Sequence, residues 1–263
     1  MINMSTYFFV AICIYIQMDC SRINCGALKS PNDSRDWSFE ALDRGFTDNL
    51  PEEFSYIEYE PPIRDQGEDK SCAAHVGAAI KEIHCWCDGN LVTLSPEFIY
   101  HHRVNKGSNG MYGRNVFHVL RTIGTVPQEM ITENLDSIDA RTYNKLIRHA
   151  KNYRIGHYAR IHTVGGLRRA VYEIGPCYLS LPLCRRRPEF WRSEPGEAIN
   201  EGHATVVIGY TREGFILRNS WGRDWNNDGH IIFPYADWNC HIECWVAIIG
   251  ELPRKKTSKC TIL

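Results

Sequence analysis

The sequence predicts an α+β protein in two lobes, with helices in the first half and mostly strands in the second. Three observations carry that expectation. Apolar residues recur every 3.6 positions in segments between residues 72 and 175. Beyond Cys177 that period gives way to short apolar runs. Turn residues separate those runs.

Along the chain, residues 1–49 read as a leader or short pro-segment. Tyr7 to Ile16 is an apolar run with the length of a signal-peptide core, but no Lys or Arg precedes it and no small-x-small site follows. A packed N-terminal strand or helix is the other reading. Residues 28–49 are polar and linker-like, with Pro31-Asn32-Asp33-Ser34 as a turn signal. Asn32-Asp33-Ser34 is a glycosylation sequon only in a secreted chain. Globular patterning starts near Leu50-Pro51 and bounds a domain over 50–252, with a basic tail over 253–263.

A helix begins near Cys72, because Val76, Ile80, Ile83 and Cys87 fall on one helical face. Pro96 to His101 is a second. Val116, Leu120 and Ile123 form a third, stopped by Gly124, and Leu167, Ala170, Val171 and Ile174 with Gly175 repeat that pattern. Cys177–Leu183, Ala204–Tyr210, Phe215–Asn219, Ile231–Phe233 and Trp245–Ile249 read as strands, and Asp228-Gly229 marks a tight turn.

Composition narrows the function. The 263 residues carry 30 Lys plus Arg against 31 Asp plus Glu, which excludes a general nucleic-acid coat. A hydrophobic fraction of 43% supports a sizeable core. No apolar run reaches the roughly 18 residues of a membrane-spanning helix. Eleven cysteines is an odd number, so at least one thiol is free or paired outside the chain.

Cys72 carries the chemistry. It stands where the helical period starts, and a helix N-terminus stabilises an anion there. A thiolate beside an imidazolium has a pKa of roughly 3.5–7.5 instead of about 8.5. Such a nucleophile needs a base, a group to orient that base, and donors for an oxyanion. His203 stands at the entry to an apolar strand and Asn219 at the end of another, 131 and 147 residues beyond Cys72.

Four ordered stretches make the chain resemble the papain-like cysteine peptidases over roughly residues 50–250. They are Gln66-Gly67 with Ser71-Cys72; Asn109-Gly110-Met111-Tyr112; Gly202-His203-Ala204 through Gly209-Tyr210; and Asn219-Ser220-Trp221-Gly222 running on to His230. The spacings from Cys72 fit that family as well. The resemblance implies a helical lobe and a β-barrel-like lobe with the cleft between them. It implies Cys72 as nucleophile and His203 as its proton partner. Asn219 would orient the imidazole, and Gln66 would donate to the oxyanion with the Cys72 N–H. Trp221 would shield the His203–Asn219 contact, and Gly110 and Met111 would offer backbone groups to an extended peptide. The reaction implied is peptide hydrolysis through an acyl-enzyme. Acyl transfer to an amine on the same site, or a non-catalytic binding module, are the alternatives.

Several positions depart from the family pattern. Lys70 and Ala73 flank the Ser71-Cys72 pair where Gly and Trp are usual, and Met111 replaces a glycine; substrate preference is open on that account. The family's disulfide positions hold Asp69 and Ser108, which favours a reducing compartment. Cys85, Cys87, Cys240 and Cys244 with His84 and His241 have poor spacing for structural zinc. Asp224, Asn226, Asp228 and Gly229 imitate a calcium loop, but its twelfth position is Tyr235. No metal or cofactor is expected. Arg185, Arg186, Arg187 and Arg192 form either a solvated loop or a bias toward acidic substrates. Cys260-Thr261-Ile262-Leu263 fits a prenylation box behind Arg254, Lys255, Lys256 and Lys259. That places the chain at a cytosolic membrane face and conflicts with the signal-peptide reading; a frayed charged tail is the alternative. The expected partner is a peptide or protein substrate.

Overall fold

The computed structural model describes residues 25–42, 49–184, 188–193 and 201–250. Tyr7–Ile16, Arg185 to Arg187 and the tail with Cys260 lie outside the described residues. The first element, β1 (Ala27–Leu28), belongs to the stretch expected as leader or linker. That stretch is packed in its described part: Ala27 and Phe39 are buried among core side chains. A second short strand, β2 (Phe54–Ser55), pairs with the centre of the sheet.

The helical half follows. Helix α1 (Cys72–Cys87) buries Val76, Ile80 and Ile83. Cys87, expected on that stripe, is exposed, because the buried face ends one turn earlier. Helix α2 (Pro96–His101) has proline at its first position, where no N–H is needed, and Ser95 Oγ accepts the Phe98 N–H at 3.1 Å. The strand β3 (Met111–Tyr112) leads into α3 (Gly113–Thr122), which ends at Gly124 with φ +93°. Two elements were not legible in the sequence, α4 (Ala140–Ala150) and β4 (His157–Arg160). Helix α5 (Val164–Glu173) is capped by Thr163 and closes this half.

The strands are β5 (Cys177–Leu183), β6 (Glu201–Tyr210), β7 (Gly214–Arg218), β8 (His230–Pro234) and β9 (Glu243–Ile248). Seven strands form one sheet in the order β4-β9-β5-β6-β7-β8, with β2 paired to β6. Every pair within it is antiparallel.

The sheet separates two cores. Ala204, Val206 and Ile208 of β6 face the cluster built by α1 and α3, while Val207 and Tyr210 face the cluster of β7, β8 and α5. A strand buried on both faces reads as a continuous apolar run, which is why β5, β6 and β9 showed no alternation. Among the described residues, no helix is long and apolar enough to cross a membrane.

Candidate active site

Two loops and two element ends converge where the cores meet. Cys72 is the first residue of α1, and the Ser71 side chain makes no cap bond. His203 is the third residue of β6. Strand β7 stops at Arg218, so Asn219 is the first residue past it. The loop holding Gln66 is fastened to the loop holding Asn219. Gln66 N–H donates to the Ser220 carbonyl at 2.8 Å, and Ser220 Oγ–H donates to Gln66 Oε1 at 2.6 Å. Gln66 Nε2 donates to the Asp69 carbonyl at 2.8 Å.

His203 Nε2 lies 2.7 Å from Asn219 Oδ1, which also accepts the Ser220 N–H at 2.8 Å. An atom that accepts a backbone N–H is the carbonyl oxygen, so the amide orientation is fixed and Nε2 carries the proton. Nδ1 is thereby the unprotonated ring nitrogen. Trp221 stacks on the imidazole with centroids 4.2 Å apart, and Phe190 meets the ring edge-on at 5.3 Å. Both aromatics are buried, so the His203–Asn219 bond sits in a dry, low-dielectric wall. His203, Asn219, Gln66 and Trp221 are therefore contiguous.

Cys72 is sealed by the chain itself. Its sulfur accepts the Gly26 N–H at 3.4 Å, and its exposure is 0%. Strand β1 lies parallel to β3, with Ala27 opposite Met111, and Met111 N–H donates to the Gly26 carbonyl at 2.8 Å. The edge expected to receive an extended peptide thus holds residues 25–28. Gly110 contributes less: its N–H goes to Tyr100 Oη and its carbonyl to Asn105 Nδ2.

Several bonds anchor this strap. The buried Glu243 accepts from Ser30 N–H at 3.2 Å, Ser30 Oγ–H at 3.0 Å and Gly113 N–H at 3.1 Å. Arg114 pairs with Asp36, and Phe39 packs into the core beside α5. No side chain fits at position 26, because a Cβ there would lie 2.2 Å from the Lys70 carbonyl oxygen.

Electrostatics follows from this burial. Desolvation pushes the Cys72 thiol above its ordinary pKa, and nearby backbone N–H groups of Ala204, Gly26, Ala73 and Ala27 only partly oppose it. Burial pushes His203 down to about 4, against a smaller opposing effect from Asn219. The strapped site therefore holds a neutral thiol and a neutral imidazole. The thiolate–imidazolium pair expected from the sequence belongs to an open, hydrated cleft, and burial works against both charges in this closed arrangement. His203 Nδ1 has no hydrogen-bond partner among the described residues.

The remaining candidates sit elsewhere. Lys70 Nζ pairs with Glu201 Oε1 at 2.6 Å, linking the loop before α1 to the start of β6. Arg192 pairs with Asp237 at 2.9 Å. Asp228, of the calcium-like stretch, pairs with Arg223 at 2.7 Å. Among the described residues, Cys72, Cys85, Cys87, Cys177, Cys240 and Cys244 form no disulfide. The sequence reading missed Gly26, Ser30 and Glu243. A lone carboxylate inside the apolar run of β9 was the available signal for Glu243.

The fold is that of a papain-like protein, and residues 50–248 match the model of the papain family cysteine proteases. The chain belongs to that family. It is 27% identical to mouse cathepsin K over 220 residues, covering 78% of this chain and 65% of the relative. To chicken cathepsin K it is 28% identical over 218 residues, covering 74% of this chain and 61% of the relative. It thus spans just under two thirds of those relatives. Among solved structures, xylellain, a cysteine protease from Xylella fastidiosa, superposes with a TM-score of 0.72 at 22% identity, covering 87% of this chain and 97% of that one. Procathepsin B S9 from Trypanosoma congolense gives 0.67 at 14% identity, covering 87% of each. These likenesses establish the fold.

Proposed function

We propose that this chain is a cysteine endopeptidase whose nucleophile is Cys72, and that residues 25–42 hold it shut. The observation that carries the reading is the meeting of His203 Nε2 with Asn219 Oδ1, beside Gln66 and under Trp221. The strap lies across the sulfur unproductively. It presents the Gly26 N–H to Cys72 where a substrate would present a carbonyl carbon.

Withdrawal of the strap rehydrates both groups, removing the desolvation that keeps them neutral. The first turn of α1 then favours the Cys72 thiolate, and His203 Nδ1 takes its proton. The thiolate attacks a peptide carbonyl, and the oxyanion is held by the Cys72 N–H and the Gln66 amide. The imidazolium protonates the leaving amine. Water, deprotonated at Nδ1, then releases the acid and regenerates Cys72.

The test uses the full chain carrying Gly26→Val, to displace the strap, with an unstructured protein as substrate. New C-termini read by mass spectrometry, absent when Cys72→Ala is added, are the expected result. Equal cleavage by the Cys72→Ala chain would overturn the assignment.

A further inference from the structure

Behind the site lies a small cavity that the mechanism above does not use. It measures about 10 Å³ and lies between α1, β6 and the Asn219 loop. That is about the room one water molecule occupies. Its wall includes His75, Asn219, Ser220 and Arg64. Two of these residues carry a sealed polar atom without a hydrogen-bond partner: His75 at Nδ1 and Asn219 at Nδ2. Two residues with orphaned polar atoms border one water-sized cavity, and such atoms are costly unless something bridges them.

We propose that His75 is a positioning residue, acting through one buried water that accepts from Asn219 Nδ2–H and donates to His75 Nδ1. The water locks the Asn219 amide with Oδ1 toward His203, and so fixes the imidazole that serves Cys72. The chemistry is complementary. Nδ2 can only donate, a neutral imidazole can accept at Nδ1, and water does both. His75 stays neutral, because burial and the Arg64 guanidinium push its pKa down to about 3. Arg64 is itself held on the buried Glu82, so its charge stays beside the cavity. His75 is three residues after Cys72, on the same helix, so one rigid element sets both groups.

The catalytic meaning rests on the peptidase reading, but two tests do not. A high-resolution crystal structure of the full chain should show one water about 3 Å from both atoms. Absence of that density overturns the proposal. In the same full chain, NMR of labelled histidine reads solvent exchange of the His203 Nε2 proton. His75→Phe should speed exchange about tenfold, the effect of losing one hydrogen bond near 1.4 kcal/mol. His75→Asn, whose carboxamide can still accept, should restore the slow rate; His75→Leu replaces the Phe variant should that one not fold. Unchanged exchange in the folded apolar variant, or no rescue by Asn, overturns the proposal. An inert protein with the water in place and the expected exchange pattern would sink the peptidase reading and leave this one standing.

Discussion

His203 and Asn219 are sixteen positions apart, and they meet because β6 and β7 are antiparallel neighbours whose site ends lie together. The register, not the residue types, makes the 2.7 Å bond. Asn219→Ala should therefore lower kcat/KM on the order of 10²-fold or more in the strap-displaced chain, with the imidazole free to turn. Gln66→Ala should cost about 10²–10³-fold in kcat and little in KM, since an oxyanion donor acts in the transition state. Steady-state kinetics on a peptide substrate checks both. The ordered motifs and the helix start at Cys72 singled out Cys72, His203, Asn219 and Gln66 as the proposed site residues. Ser220 was not, because its role is a bond to Gln66 across 154 residues of chain. Glu243 was passed over as one polar residue in a strand, although its burial makes every bond it accepts count.

The strap, the element that shuts the site, was the least legible. β1 has two residues, too few for any period, and its pairing with β3 is set by tertiary contact. Its polar composition read as a linker, yet Ser30, Asp36 and Glu40 bond to the domain. α4 escaped for a related reason: Leu146 and Ala150 are its only fully buried residues, so its apolar stripe is thin, though Asp139 caps it. The long helices and the doubly buried strands β5, β6 and β9 were legible because burial on one or both faces imprints a pattern. The strap's hold should yield to Ser30→Ala. That variant removes Oγ from both Glu243 and the Arg114 N–H, two bonds of about 1 kcal/mol each. Hydrogen exchange of the Met111 amide should quicken by roughly ten- to thirtyfold, and an unchanged rate would show that Ser30 does not anchor β1.

Across the whole molecule, burial sets the response to acid. His75, His84, His101, His102, His203 and His241 are all held below the ordinary histidine pKa by desolvation. A neutral buried base costs nothing above pH 6.5. Below it the unfolded or opened chain binds protons that the closed form refuses, so stability falls with pH. His203, at about 4 in the closed form, accounts for about 2 kcal/mol between pH 7 and pH 5. The melting temperature of the full Cys72→Ala chain should thus drop over that interval, and less so when His203→Gln is added. A flat profile would contradict the burial of these rings. The carboxylates Asp33, Asp139 and Asp228, which burial does not dominate, are held low by hydrogen bonds and act only at more acid pH.

The central claim is that one sulfur is a nucleophile closed off by its own chain. The rate at which iodoacetamide labels Cys72, mapped by peptide and referenced to the exposed Cys87 in the same molecule, tests it most directly. Cys72 should label slowly in the native sequence and about tenfold faster or more with Gly26→Val, while Cys87 labels equally in both. Labelling of Cys72 as fast as Cys87 in the native chain, or no acceleration by Gly26→Val, would contradict the account.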